Sequence, residues 1–461
     1  MKRLVFCFDG SWNRLDAPHP TNVLLTAESV LPMALDGVAQ VTFYDEGVGS
    51  EDGEVLVGGM FGAGLVKNLG DGYRFLIFNY APGDEIYIFG FSRGAYTARS
   101  FVGLLGTCGI LDRDAARRAD EAIGLYKKRS AEPSYAAAMM RFRSQNSTHI
   151  CVSEEEDRWR ALNIGGYEAD SAPLLKVKYL AVWDTVGSLG IPRYMVMANA
   201  INRQHQFHDV ALSGMVDMAR HAVAIDEQRV DFEPTLWDNL DELNAGRGAV
   251  PEDADAPYQQ MWFPGGHGSV GGGGERRGLS DTALDWIWDG ARLAGLDLDS
   301  SATSYLRRLK GWHREYLANR AVQAGFNAVS FILNHLPQAD RAPGPTHLYE
   351  VSASARRRWK ESGEHLPEVT AYRPAALEAL AAQLEQLPDL GDEAEVAEFS
   401  IYIVRRGDTL KSIAEAVYGD AGAAALILAA NANKLTGESG LHAGQALRLP
   451  EPAPLPEVSE T

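Results

Sequence analysis

Ile86-Tyr87-Ile88-Phe89-Gly90-Phe91-Ser92-Arg93-Gly94-Ala95-Tyr96-Thr97-Ala98-Arg99-Ser100 is the stretch on which the reading of this chain turns. Its first half is an unbroken apolar run, the pattern of a parallel strand buried on both faces. Its second half is helix-forming from Ala95 onward. Between them lies G-x-S-x-G, in the strand–turn–helix context that projects a serine hydroxyl from the top of a sheet. Side chains in place of Gly90 and Gly94 would collide with the neighbouring strand and helix. A helix N-terminus beside the hydroxyl favours a developing oxyanion. The bare pattern is common, and it is the flanking strand and helix that make Ser92 the candidate nucleophile.

Similar short apolar runs occur at Arg3 to Phe8, Val41 to Tyr44, Val177 to Trp183 and Met261 to Phe263. Helical patterns fall at 66–80, 93–106, 210–222, 281–294 and 303–318. Strands alternating with helices predict an α/β-hydrolase-like, mainly parallel sheet with helices on both faces. The charged helical stretch Asp112 to Asn163 interrupts the strand pattern and reads as a helical cap insertion. One α/β domain is expected over 1–386, an acidic linker over 387–398, a compact unit over 399–450 and a disordered Pro/Glu-rich tail over 451–461.

A serine hydroxyl needs a base, and the base needs a carboxylate to orient it. In this fold class the chain order is Ser, Asp or Glu, then His. Asp184 follows the run Tyr179-Leu180-Ala181-Val182-Trp183, and His267 lies in the loop after Met261-Trp262-Phe263-Pro264. Both stand at strand ends, where such groups belong. The rival histidines His205, His208 and His221 fall in or near a predicted helical region, as packing or surface residues. The oxyanion donors expected are the backbone N–H of Arg93 and that of Gly10 or Ser11, after the first strand. Gly266-x-Gly268-x-x-Gly271 matches a dinucleotide fingerprint, but Pro264 and three further glycines do not open a helix directly; these glycines let backbone pass close to the site. No metal or other cofactor is required.

The 461 residues carry a formal charge of −19, which repels nucleic acid and gives no attraction to an anionic membrane. Cys7, Cys108 and Cys151 are too few and too scattered for a disulfide framework or a zinc site. No apolar run is long enough to span a bilayer, and Met1-Lys2-Arg3 does not begin a signal peptide, so synthesis in the cytoplasm is expected, with export by a dedicated machine if the protein acts elsewhere.

Taken together, several segments resemble one family: Asp9-Gly10-Ser11-Trp12-Asn13 with Thr21-Asn22-Val23, Tyr44-Asp45-Glu46-Gly47-Val48-Gly49, the Ser92 segment, Trp183-Asp184-Thr185-Val186-Gly187, Asp226-Glu227-Gln228-Arg229 and Trp262-Phe263-Pro264-Gly265-Gly266-His267. It is the bacterial and fungal α/β-hydrolase family that includes type VI secretion lipase effectors with phospholipase activity. The resemblance spans roughly residues 1–375 and implies a Ser92–Asp184–His267 triad, a phospholipid substrate, and secretion-spike and immunity partners. Where that family reads His-Ser-Asp-Val-Gly-Gly, this chain has His267-Gly268-Ser269-Val270-Gly271, so an acidic neighbour of the histidine is missing. The segment Ile191 to Met197 suits either an acyl entrance or core.

The C-terminal unit resembles a LysM domain through Tyr402 to Leu410, Ile413-Ala414, Tyr418-Gly419, Asn431 and Leu441 to Pro450. The resemblance implies a βααβ fold, Asp408-Thr409 capping the first helix, and binding of peptidoglycan or another N-acetylglucosamine polymer by Gly407, Asp408, Thr409 and Leu410 facing Lys434 and Leu435; docking onto secretion proteins is the alternative use. Two other readings of the whole chain stay open: a wall-binding or secretion-associated protein with an impaired site, and a glycan-ester hydrolase.

Overall fold

The computed structural model describes residues 1–10, 13, 15–47, 60–186, 211–299, 314, 317, 338–341, 344–388, 399–404, 407–431, 435, 441 and 446–450. Six strands, β1 (Arg3–Phe8), β2 (Gln40–Asp45), β3 (Glu85–Phe91), β4 (Val177–Trp183), β5 (Val216–Ala224) and β6 (Tyr258–Phe263), form one sheet in the order β2-β1-β3-β4-β5-β6. Every pairing is parallel. The chain moves outward from β1 to β2 and then returns to β3, so the loops after β1 and β3 diverge and leave a crevice at the carboxyl edge.

Side-chain alternation sorts the strands onto two cores. Leu4, Phe6, Phe8, Ile86 and Ile88 face helices α2 (Met60–Asn79) and α3 (Arg93–Cys108). Val5, Cys7, Tyr87, Phe89 and Phe91 face α1 (Asn22–Ser29) and, further along, α9 (Gly278–Leu293). Each fully buried Phe contributes about 2 kcal/mol in area terms, so the sheet centre is the stability reserve that holds the edge loops.

The Asp112 to Asn163 segment forms α4 (Ala119–Lys127), α5 (Pro133–Asn146) and α6 (Glu154–Asn163). Its anchor is ionic: Glu156, fully buried, meets Arg143 at 2.8 Å and Arg160 at 2.6 Å, and Arg143 also donates to Thr107 O near the C-terminal end of α3. The edge strand β6 is covered by α10 (Ala353–Lys360), α11 (Ala381–Gln386) and their flanking turns, with Trp262 in one buried cluster with Val351, Trp359 and Leu377. The short helices α7 (Leu240–Gly246) and α8 (His267–Gly271) flank β6 in the chain.

One predicted helix is a strand. The 210–222 pattern of small and apolar residues is the sheet's fifth strand, β5, buried on both faces from Ala219 to Ala224. A central strand without an exposed face has no period of two, so Val216, Ala219, Arg220 and Val223 mimic a helical stripe. Most of the 303–318 stretch and of the 387–398 linker lies outside the described residues, as does the whole 451–461 tail. Among the described residues no helix is long and apolar enough to cross a membrane, and no group of side chains has the makings of a metal site.

At the C-terminal end β7 (Phe399–Ile403) and β8 (Ala446–Pro450) pair antiparallel around α12 (Leu410–Tyr418) and α13 (Ala424–Ala430), the βααβ order expected. Thr409 caps α12 reciprocally with Ser412, at 3.0 and 2.9 Å. Asp408 instead accepts from the Tyr402 hydroxyl.

Candidate active site

Ser92 stands between β3 and α3 with φ of 58° and ψ of −120°, a backbone conformation that L-residues adopt only under constraint. The constraint is steric. A Cβ on Gly90 would lie 2.6 Å from Gly94 O and 2.7 Å from Ala95 Cα, and one on Gly94 would run into the carbonyls of Phe8 and Asp9. Both glycines are therefore conditions for the bend. The Ser92 amide donates to Trp183 O at 3.0 Å, tying the turn to the end of β4.

The next residue, Asp184, also has positive φ, 36°. Its turn is pinned throughout: Asp184 N donates to Ala222 O (2.7 Å), Thr185 N to His221 Nε2 (3.2 Å) and Thr235 N to Thr185 O (2.8 Å). His221 is thus a structural acceptor on β5, fully buried, with burial pushing its pKa down to about 3. His205 and His208 lie outside the described residues.

His267 opens α8, and its Nδ1 lies 2.6 Å from Asp184 Oδ2. This contact sets the tautomer: Nδ1–H donates to the carboxylate and Nε2 is left as the acceptor. Burial holds the His267 pKa below its ordinary value against the opposing pull of Asp184, so the ring is neutral near pH 7. Burial alone would raise the Asp184 pKa; Arg341 and His267 more than offset it and keep the carboxylate ionised. The Phe91 ring lies 4.6 Å from the imidazole and that of Phe232 4.9 Å, which brings His267 beside the serine turn. Ser92 and His267 share no side-chain hydrogen bond among the described residues; such bonds often tighten only around substrate.

The motifs quoted from the sequence become the site's scaffolding. Glu227 accepts the His267 backbone N–H at 3.0 Å and is itself forked by Arg229 at 2.7 and 2.8 Å. Asp226 accepts from Gly265 N at 2.6 Å and from the Tyr372 hydroxyl at 2.8 Å. An acidic residue thus does stand beside His267, supplied by the loop after β5. Ser269 donates to Leu317 O at 2.7 Å, a partner that an ionised Asp at this position could not satisfy. Asn22 reaches across to Val270 O and Ser280 O, fixing α8 from α1. The glycine run has its own reason: a Cβ on Gly271 would enter the Phe91 ring, and one on Gly272 would lie 2.8 Å from Asn22 N.

The expected oxyanion donors fare unequally. Arg93 N belongs to the first turn of α3. The Gly10 amide donates to Asp9 Oδ1 at 2.6 Å, so it is not available to an oxyanion. Asp9 also collects Asn13, Thr21 and Tyr44, and burial raises its pKa to about 6. Ser11 lies outside the described residues.

The expected glycan groove needs correction as well. Leu410 and Leu435 are in the core of the C-terminal unit with Ile413, Ile427 and Leu447, so their side chains cannot line a groove. Gly407 and Thr409 are exposed and Asp408 is half-buried; Lys434 lies outside the described residues.

Sequence reasoning missed Arg341. Its Nη1 lies 2.7 Å from Asp184 Oδ1 and its Nη2 3.2 Å from Oδ2, and it also donates to Ala224 O and Phe232 O. An arginine 157 positions downstream, in no motif, carries no signal that could have found it.

Comparison with known proteins gives this geometry its context. An uncharacterized protein of Saccharomyces cerevisiae is 26% identical over 247 residues, covering 50% of this chain and 32% of that protein. The structure of an uncharacterized protein from Pseudomonas aeruginosa aligns with 84% of this chain and 60% of its own, at 16% identity and a TM-score of 0.35. The structure of the Tle1 effector bound to the VgrG spike of a type VI secretion system aligns with 58% of this chain and 50% of its own, at 16% identity and a TM-score of 0.30. The chain therefore spans about a third of the yeast protein's length and 60% of the Pseudomonas structure. Residues 402–450 match the LysM domain model. Residues 2–290, more than half the chain and including Ser92, Asp184 and His267, match the model of the Tle1-like catalytic domain of type VI secretion phospholipase effectors, and the chain belongs to that family.

Proposed function

We propose that this chain is a serine-dependent carboxylic-ester hydrolase acting on phospholipid, delivered as a type VI secretion effector. The observation that carries the reading is the buried His267–Asp184 pair at 2.6 Å, brought by Phe91 against the strained turn that holds Ser92. Ser92 Oγ attacks the acyl carbon as His267 Nε2 takes its proton. Asp184 accepts from Nδ1–H and stabilises the imidazolium as it forms. The Arg93 N–H, at the start of α3, faces the oxyanion. Collapse of the tetrahedral adduct transfers the proton from His267 to the departing alcohol. Water then cleaves the acyl-enzyme with His267 again as base.

Membership of the phospholipase-effector family supports this substrate class, and secretion-spike and immunity partners are part of the same proposal. Two measurements test the enzyme reading. A fluorophosphonate probe should label the wild type and leave S92A unlabelled, and fatty acid should be released from mixed phospholipid vesicles by the wild type only. Labelling of S92A at the wild-type rate overturns the nucleophile; release from short-chain esters but never from vesicles overturns the lipid substrate. For the LysM unit we propose retention on an N-acetylglucosamine polymer. Co-sedimentation of the full chain with insoluble peptidoglycan checks it, and a chain left wholly in the supernatant argues for docking on secretion proteins instead.

A further inference from the structure

We propose that Arg341 is a positioning residue of the acid–base pair: a buried guanidinium that forks Asp184, fixes the plane of its carboxylate toward His267 and keeps it charged. This rests on the serine-hydrolase reading and extends it to a residue outside the 2–290 family match.

The geometry is that of a lock. Asp184 is fully buried, and its two oxygens receive four contacts: Ala224 N and Arg341 Nη1 on Oδ1, at 2.9 and 2.7 Å, and His267 Nδ1 and Arg341 Nη2 on Oδ2, at 2.6 and 3.2 Å. A carboxylate held by one imidazole alone could rotate about its Cβ–Cγ bond; a planar fork across both oxygens removes that freedom. Arg341 is itself fixed, by Ala224 O at 2.6 Å and Phe232 O at 2.5 Å. The segment bearing it docks on the loop after β5 through Ala339 N to Gln228 O at 2.8 Å and an Arg229–Gln338 bridge. That loop also supplies Glu227 to the His267 backbone, so one loop couples the guanidinium to both members of the pair.

The cation has an electrostatic consequence for the base. The charged and titratable groups about His267 are Asp184 after β4, Glu227 and Arg229 after β5, and Arg341, with neutral His221 behind Asp184. His267 must be neutral to accept the serine proton, so activity falls as pH drops through its pKa, which burial holds below 6.5. Removing the guanidinium takes away a positive charge, and the Asp184–His267 pair then binds a proton more readily. The acidic limb of kcat/KM should move to higher pH, by about one unit.

The experiment compares full-length wild type, R341M and R341K by fluorophosphonate labelling and by the pH profile of kcat/KM on a soluble ester. R341M should label more slowly, with its acidic limb shifted upward. R341K keeps the charge but not the fork, so its limb should stay near that of the wild type while kcat falls about tenfold at unchanged KM. Failure of the wild type to label removes the hydrolase reading itself. Labelling of the wild type together with an R341M that matches it in rate and in limb overturns the role of Arg341 alone. Should R341M not fold, a folded R341K equal to wild type in kcat overturns it too.

Discussion

The two halves of the site are held by opposite means. On the β1–β3 side, Ser92 is placed by what is missing: no side chain at Gly90 or Gly94, so that α3 can close on β1 and force the bend. On the β4–β6 side, Asp184 and His267 are placed by what is added: Arg341, Glu227 and Arg229, buried or half-buried charges that fork, cap and orient. Steric placement is local and unforgiving. Electrostatic placement draws on distant chain and sets protonation as well as position.

The comparison can be tested by substitution on each side. The largest effect is expected for D184N. It removes the acceptor that stabilises the imidazolium, lowering kcat by about 10^4, and leaves Arg341 buried without its anion, costing about 3–5 kcal/mol. Chemical denaturation read alongside turnover would separate the two losses. The pH dependence has a definite sign. The folded Asp184 pKa is depressed, so its contribution to stability is complete above the ordinary carboxylate value of 3.8 and erodes as pH falls below it; D184N should flatten that part of the curve. A D184N protein as stable as the wild type would show that the charged half is not held by charge.

G94A comes next. Its methyl group would meet two backbone carbonyls that cannot yield, and a loss of about 3 kcal/mol in thermal unfolding is expected. Tolerance of G94A with normal probe labelling would break the steric half of the comparison. The smallest effect is expected for T409A, far from both halves, where loss of a reciprocal helix cap should cost the C-terminal unit about 1 kcal/mol and leave esterase activity unchanged. A fall in activity there would mean that the site depends on more than these two halves.

The same division explains what could be read from sequence. The serine turn is contiguous, so its size pattern is visible in five letters. Asp184 and His267 were legible because strand ends in a parallel sheet are where chain order puts them. Arg341 was not, since one arginine among the 43 basic Lys and Arg residues announces nothing about a partner 157 positions away. Gly10 was misjudged for a related reason: sequence gave its place after β1, but not that the Asp9 carboxylate would claim its amide. β5 was misread because its neighbours on both sides erase the alternation by which a strand is recognised. Leu410 and Leu435 match a binding motif by position, yet a unit this small needs them for its interior.

If Arg341 has the role proposed for it, the site needs chain well beyond residue 290. A fragment ending at residue 290 would carry the serine, the aspartate and the histidine, and a motif search would pronounce it complete. It would nonetheless strip the cover from Trp262 on the edge strand and leave an anion sealed in the protein with no guanidinium to answer it.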